Sequence, residues 1–271
     1  MQRTWAEDVF AWDNAEPAPL TCPSCCRLYN RDAHEVCRSL NDASVDLLLT
    51  DPPYGITRNK WDTKEFQYTL KQTWKEWLRI VRPNGALVVM AAAPFDKILA
   101  MSCLDLFRYE WIWNKNKATG HLNSRKMPLK AHENILVFYQ KPPVYNPQET
   151  LGHAPSNAVG PSKTDKSRQL RNYGHHDCLG NPGNRITRQP RTILNIPVHN
   201  NDDCAKWHPT QKPVKLMEFF IRTYTNAGAC VFHPYMGSGT TGVAALKCGR
   251  RFIGAEINAE YFDKAKSRMQ L

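Results

Sequence analysis

In Val45-Asp46-Leu47-Leu48-Leu49-Thr50-Asp51-Pro52-Pro53-Tyr54-Gly55 an apolar run ends abruptly in an acid and two prolines. The run Val45–Thr50 reads as a strand buried on both faces, the habit of a parallel sheet covered by helices. Pro52 and Pro53 cannot donate to a central ladder, so they end it and leave Asp51 at the strand's carboxyl end. Downstream, Phe66, Leu70, Trp74, Trp77, Leu78 and Val81 recur at three- and four-residue spacing, which predicts a helix stopped by Pro83-Asn84-Gly85. Residues 86–92 then read as a second buried strand. Strand, helix, strand is the mark of an α/β fold with a parallel sheet. Extended stretches follow at 109–113 and 134–139, with a basic loop between them holding Lys115, Lys117, Arg125, Lys126 and Lys130.

The last third repeats the pattern. Val214, Met217, Ile221 and Tyr224 share a helix face that Asn226-Ala227-Gly228 closes, and residues 229–232 read as a strand. That strand runs into His233-Pro234-Tyr235-Met236-Gly237-Ser238-Gly239-Thr240-Thr241-Gly242, followed by a helix, a strand at 251–257 containing Glu256, and a final amphipathic helix. Between 142 and 206 long apolar periodicities vanish. There Lys163, Lys166, Arg168, Arg171, Arg185, Arg188 and Arg191 face only Asp165 and Asp177 over residues 160–191. Composition alone leaves two readings open for this insertion, a solvated loop or a segment that touches a phosphate backbone.

The 271 residues, 42% hydrophobic and 23% charged, hold enough apolar material for a single compact domain carrying insertions. Thirty-six Lys and Arg against 25 Asp and Glu give a net charge of +11, which favours a polyanionic partner such as nucleic acid. The longest apolar run, residues 86–95, is about half of a bilayer span, and the N-terminus lacks the apolar core of a signal peptide. A cytoplasmic protein with no membrane partner is expected. Nine scattered cysteines fit reduced thiols better than a disulfide framework. Cys22 and Cys25, with Cys26, His34 and Cys37 beyond, invite a zinc reading, but only one pair is well spaced, so no metal is expected.

Two segments carry chemistry. A strand feeding Gly237-Ser238-Gly239 and then a helix brings backbone amides close to a ligand with no side chain in the way. Glu256, at the end of the next strand, stands where an α/β fold places the acid that binds ribose hydroxyls. A tight strand-to-helix turn would show the same glycines, and the acid tips the balance toward a nucleoside ligand. Thr240-Thr241 replaces the Lys-Ser/Thr of a phosphate-binding loop, so the ligand need not carry phosphate. Asp51-Pro52-Pro53-Tyr54 is far more specific, arising by chance in roughly one in a thousand chains of this length. The Asp51 carboxylate and the Pro52 carbonyl are two acceptors suited to the hydrogens of an exocyclic amine. Two prolines fix their aim before substrate arrives, and Tyr54 offers a flat face to an unstacked base. A rigid turn with a capping Asp is the bland alternative.

These segments resemble the amino-methylating DNA methyltransferases that use S-adenosylmethionine. Besides the two already quoted, three more motifs fit: His208-Pro209-Thr210-Gln211-Lys212-Pro213, Phe252-Ile253-Gly254-Ala255-Glu256-Ile257-Asn258 and Asn30-Arg31-Asp32. The catalytic motif precedes the cofactor motif, as in the circularly permuted beta class. The resemblance implies a Rossmann-like, seven-stranded, mostly parallel methyltransferase sheet with an irregular inserted recognition region. It also implies an organisation into an N-terminal extension (1–26), a catalytic half (27–141), a target-recognition insertion (142–206) and a cofactor half (207–271).

Carried over residue by residue, the resemblance implies that Asp51 and Pro52 accept hydrogen bonds from the target amine, with Pro53 stiffening the turn and Tyr54 stacking on a flipped base. Glu256 would hold the cofactor ribose, and Asp32 would lie near its adenine amine. The backbone around Tyr235, Gly237 and Gly239 would wrap its methionine part, His233, Pro234 and Ser238 belong to the same cofactor-binding set, and Thr240, Thr241, Gln211 and Lys212 are second contributors. DNA contact is expected from Lys115, Lys117, Arg125, Lys126, Arg168, Arg171, Arg185, Arg188 and Arg191. Asp at the head of the catalytic motif goes with adenine N6, and Ser more often with cytosine N4. Adenine N6 in double-stranded DNA is therefore the leading expectation, with cytosine N4, single-stranded substrates and a cofactor-impaired DNA-binding protein as alternatives. A homodimer and a monomer both stay open. His233 departs from the family, which usually has an acid there to meet the cofactor's ammonium. A protonated imidazole would repel that group, giving binding that weakens toward pH 6, whereas a neutral one would carry no cost.

Overall fold

The structure, a computed structural model, describes residues 7–14, 25–55, 64–153, 186–198 and 211–271. The apolar run forms strand β2 (Val45–Thr50), almost wholly buried, and α2 (Glu65–Ile80) and β3 (Val81–Ala91) follow it. Before them come β1 (Cys26–Tyr29) and α1 (Ala33–Ser39), and after them α3 (Phe95–Ser102), β4 (Phe107–Thr119), β5 (Lys130–Phe138) and β6 (Ile193–Asn195). The chain closes with α4 (Val214–Tyr224), β7 (Cys230–His233), α5 (Thr240–Lys247), β8 (Arg251–Ala255) and α6 (Ala259–Met269).

The eight strands form one sheet in the order β1-β8-β7-β2-β3-β5-β4-β6. The first five are mutually parallel, β5 runs antiparallel to both β3 and β4, and β6 lies parallel to β4. Helices α1, α2 and α3 pack among themselves, as do α4, α5 and α6, forming the two layers that a parallel sheet needs on its faces. Trp74, Trp77, Leu48, Leu87, Phe95, Phe138, Phe232 and Ile253 belong to one apolar cluster. It explains why the spacing from Phe66 is legible: Phe66, Leu70, Trp74, Trp77 and Ile80 are buried on α2, whereas Leu78 is half-buried and the expected stop at Pro83-Asn84-Gly85 instead lies within β3, which Val81 opens.

One strand exceeds the expected seven. Residues 193–195 leave the insertion and pair with 112–114 of β4, with Trp113 Nε1 donating to Ile196 O at 2.6 Å. Three residues are too few for periodicity to flag, and the exposed edge of β4 supplies the partner groups. β4 and β5 are also longer than the apolar runs suggest, so Lys115 and Lys117 sit on β4 and Lys130 opens β5, where a basic loop was expected.

Among the described residues, 8–14, 148–153 and 186–190 form a second compact unit. Within it Leu151 N donates to Val9 O at 2.8 Å, and Thr150 and Arg188 exchange backbone hydrogen bonds of 2.9 and 3.0 Å. Arg168, Arg171, Arg185, Cys22 and residues 208–210 lie outside the described residues. Burial pushes the thiols of Cys26 and Cys37 up to about 12, with Cys25 adding to the rise at Cys26 and Glu76 at Cys37. Among the described residues, no helix is long and apolar enough to cross a membrane.

Candidate active site

From β2 the chain proceeds to β3 on one side, whereas from β7 it proceeds to β8 on the other. The two neighbours β2 and β7 therefore flank the point where strand order reverses, beyond whose carboxyl ends open α/β sheets bind their ligands. Asp51 follows β2 directly and His233 ends β7. The Asp51 N–H donates to His233 Nε2 at 3.2 Å, and His233 Nδ1 lies 2.7 Å from Thr241 Oγ1. Since Nε2 accepts, Nδ1 carries the proton and donates to Thr241, which fixes a neutral tautomer. Burial, with the Lys212 ammonium adding to it, pulls His233 down to about 3. Burial and the Lys212 ammonium both act against a charge on the ring, which favours the alternative in which a neutral imidazole carries no cost.

The glycine turn beside it is built from backbone. Met236 N donates to Ala255 O and Gly239 N to Met236 O, each at 2.9 Å. Gly239, with φ +78°, caps α5, and a Cβ there would stand 2.9 Å from that of Ala265. At Gly237, φ +54°, a Cβ would meet nothing within 4 Å, so the main chain borders open space. Glu256 faces this turn: Oε2 accepts from Gly237 N and Oε1 from Asn258 N, both at 2.9 Å. Burial raises the Glu256 carboxyl, and these amide donors oppose the rise. Asp32 caps α1, its Oδ1 accepting from His34 N at 2.9 Å and Glu35 N at 3.3 Å. An open backbone turn, a half-buried carboxylate beside it and a second acid just past β1 fit a nucleoside ligand.

On the β2 side the Tyr54 hydroxyl donates to Asp51 Oδ1, and Gln67 Nε2 donates to Tyr54 O at 2.9 Å. Tyr54 stacks on Phe95 with ring centroids 5.4 Å apart and planes at 19°. Asp51 Oδ2 accepts from Lys212 Nζ at 2.5 Å, and the same ammonium lies 3.5 Å from Glu133 Oε2. Lys115 Nζ, 3.1 Å away, holds Glu133 Oε1. Burial works against the charge on Lys212, but Asp51 and Glu133 more than offset it and hold its pKa above the ordinary lysine value. Burial likewise opposes the charge on Glu133, and Lys212 and Lys115 reverse the effect, leaving that carboxyl below its usual range. Glu133 also lines a cleft of about 200 Å³ shared with Asp96, Lys130 and Asn134.

The expected residues thus divide into groups. Gln211 accepts from Ser238 Oγ at 3.4 Å, placing it beside the glycine turn, and Pro234 and Thr240 are buried there. Burial raises the Tyr235 phenol, whose ring meets Phe66 edge-on at 5.6 Å. Lys212, expected with the cofactor residues, instead places its ammonium on Asp51. Lys115 is withdrawn from the DNA-facing set: its side chain is 7% exposed and bound to Glu133. Lys117, Arg125, Lys126 and Arg191 are exposed, and Arg188 is half-buried. The sequence reading missed Glu133, Phe95 and Arg268, whose Nη1 donates to Ser238 O at 2.7 Å and Thr240 Oγ1 at 3.1 Å. Only the position of Glu133 at the start of an apolar strand run hinted at a site.

A family model described as DNA methylase matches residues 45–267. The chain belongs to the DNA methylase family, which transfers methyl groups from S-adenosylmethionine to the exocyclic amine of adenine N6 or cytosine N4 in DNA. Among its relatives is the DNA adenine methyltransferase YhdJ of Escherichia coli K12, 27% identical over 252 residues that cover 89% of this chain and 81% of the relative. The type II methyltransferase M.HpaI of Haemophilus parainfluenzae is 27% identical over 256 residues, 90% of this chain and 74% of the relative. A solved Thermus thermophilus DNA modification methylase complexed with S-adenosylmethionine superposes with a TM-score of 0.58 at 25% identity, over 90% of this chain and 92% of the other. The PvuII cytosine-N4 methyltransferase gives 0.62 at 20% identity over 96% and 90%, a likeness of fold.

Proposed function

We propose that the protein transfers a methyl group from S-adenosylmethionine to the N6 amine of adenine in double-stranded DNA. The observation that carries this is the Asp51 carboxylate, fixed at the strand-order reversal by its own backbone bond to His233 and by the Tyr54 hydroxyl. When bound, the cofactor supplies an electrophilic methyl on a positively charged sulfonium. Glu256 binds the ribose hydroxyls, Asp32 the adenine amine, and the backbone around Gly237 follows the methionine part. Asp51 Oδ and the Pro52 carbonyl accept hydrogen bonds from the target amine, orienting its lone pair and stabilising the positive charge that grows on nitrogen. Tyr54, packed on Phe95, presents its remaining face to the flipped base.

Adenine is favoured by the acid at the head of Asp51-Pro52-Pro53-Tyr54 and by the likeness to an adenine methyltransferase. The burial that disfavours a charge on His233 supports a cofactor-binding enzyme over a cofactor-impaired DNA-binding protein. Exposed Lys117, Arg125, Lys126 and Arg191 are assigned to phosphates, with 142–206 as the target-recognition insertion between the two halves, 27–141 and 207–271, of the methyltransferase domain. Incubation of the protein with cofactor and unmethylated DNA, followed by nucleoside mass spectrometry, tests the reading. N6-methyladenine made by the wild type and absent with Asp51→Ala is expected. N4-methylcytosine alone would move the assignment to cytosine, and neither product would overturn it.

A further inference from the structure

Lys212 stands where the target base has to go. Its ammonium is 2.5 Å from Asp51 Oδ2 and lies over the Tyr54 ring at 6.0 Å from the centroid. These are the acceptor and the stacking surface that the proposed reaction offers to a base, so the inference rests on that reading. A cation held there opposes transfer twice. It crowds the Oδ2 acceptor that the target amine approaches, and it repels the positive charge that builds on the attacking nitrogen. Held protonated between two carboxylates, Lys212 also cannot accept the proton that the amine sheds. The ammonium therefore has to leave Asp51 before the methyl moves.

The structure provides a second berth. Glu133 Oε1 is engaged by Lys115 at 3.1 Å, whereas Oε2 is buried, accepts no hydrogen bond among the described residues, and lies 3.5 Å from Lys212 Nζ. A buried carboxylate oxygen left without a donor is costly, and an ammonium already within ion-pair distance needs only a small side-chain rotation to satisfy it. We propose that Lys212 is a cationic gate: it neutralises Asp51 in the base-free site and shifts onto Glu133 Oε2 when the target base enters. Lys212 and Glu133 are then positioning residues that act through Asp51. The repulsion between Lys115 and an arriving Lys212 keeps the shift reversible, so the gate recloses once the methylated base departs.

A double-mutant cycle with two readouts tests the gate. Methylation kinetics are measured for the wild type, Glu133→Gln, Lys212→Met and the double variant, alongside fluorescence of 2-aminopurine placed at the mapped target adenine. Glu133→Gln withdraws the berth, leaving Lys212 on Asp51. About a tenfold or greater fall in kcat is expected, with the DNA KM and cofactor Kd nearly unchanged because neither phosphate nor cofactor contacts are touched. The 2-aminopurine signal should fall in parallel, since fewer bases are seated. Removing Lys212 as well should abolish most of that penalty, so that the double variant matches Lys212→Met, and Glu133→Asp, which keeps the charge, should retain most of the activity.

An equal loss from Glu133→Gln with and without Lys212 would mark Glu133 as merely structural and overturn the gate, as would no loss at all. Should Glu133→Gln fail to fold, a Lys212→Met variant that leaves both the fluorescence and its dependence on DNA concentration as in the wild type would overturn it equally. Absence of both methylation and base seating in the wild type strikes the methyltransferase reading itself, a result distinct from either of these.

Discussion

The two flanks of the strand-order reversal are held by opposite means. Around Gly237 and Glu256 the geometry is set by backbone hydrogen bonds and by a histidine that burial keeps neutral. Around Asp51 it is set by four charges, Asp51, Lys212, Glu133 and Lys115, paired in a chain through buried space. The first arrangement is preformed and has nothing to move. The second carries a standing mismatch: Asp51 Oδ2 is paired with Lys212, whereas Glu133 Oε2, 3.5 Å from the same ammonium, accepts no hydrogen bond among the described residues. Neutral scaffolding suits a cofactor that must bind before chemistry, and breakable ion pairs suit a base that has to displace something to enter.

The two flanks separate most strongly at Asp51. Asp51→Ala should reduce methyl transfer below detection while the cofactor Kd, read by calorimetry, changes by no more than about twofold, since Asp51 contacts Lys212 and Tyr54 and not the glycine turn. Glu256→Gln should do the reverse. Loss of a charged acceptor next to Gly237 should raise the cofactor Kd by about tenfold or more, with kcat at saturating cofactor largely kept. A kcat loss at Glu256 equal to that at Asp51 would show that the two flanks act as one unit.

A smaller effect is expected at His233. Its unfolded form takes a proton near 6.5 and its folded form near 3, so below pH 6.5 the unfolded state binds more protons. Stability should therefore fall by about 1.4 kcal/mol per pH unit as pH drops toward 3, on top of other groups. His233→Gln should remove that increment from urea melts taken between pH 4 and 7, and cofactor affinity should show no step near pH 6. Smallest is the exposed surface: Lys117→Ala with Lys126→Ala should lower the slope of log DNA affinity against log salt by about 0.9 for each phosphate that is no longer neutralised.

How far each flank was legible follows from its physics. Gly237, Gly239 and Glu256 act through local backbone shape and through position at a strand end, both of which leave marks in sequence. Asp51 was legible for the same reason, because two prolines after an apolar run fix where the strand stops. Glu133 was not, since a buried acid looks like any other acid until its partners are known. Lys115 and Lys117 looked alike as members of a basic stretch, yet only the fold turns the first inward to Glu133 and leaves the second exposed to solvent.

The parallel α/β plan, the buried strand ending in Asp51-Pro52-Pro53-Tyr54 and the glycine turn are written in local pattern, because period and punctuation report burial directly. The pairing of β7 with β2, which brings His233 to Asp51 across 182 residues, and the reach of Lys212 to Asp51 across 161 arise only in the folded chain. Charge pairing at such separations depends on the path of the whole chain through the sheet, and no local pattern encodes it.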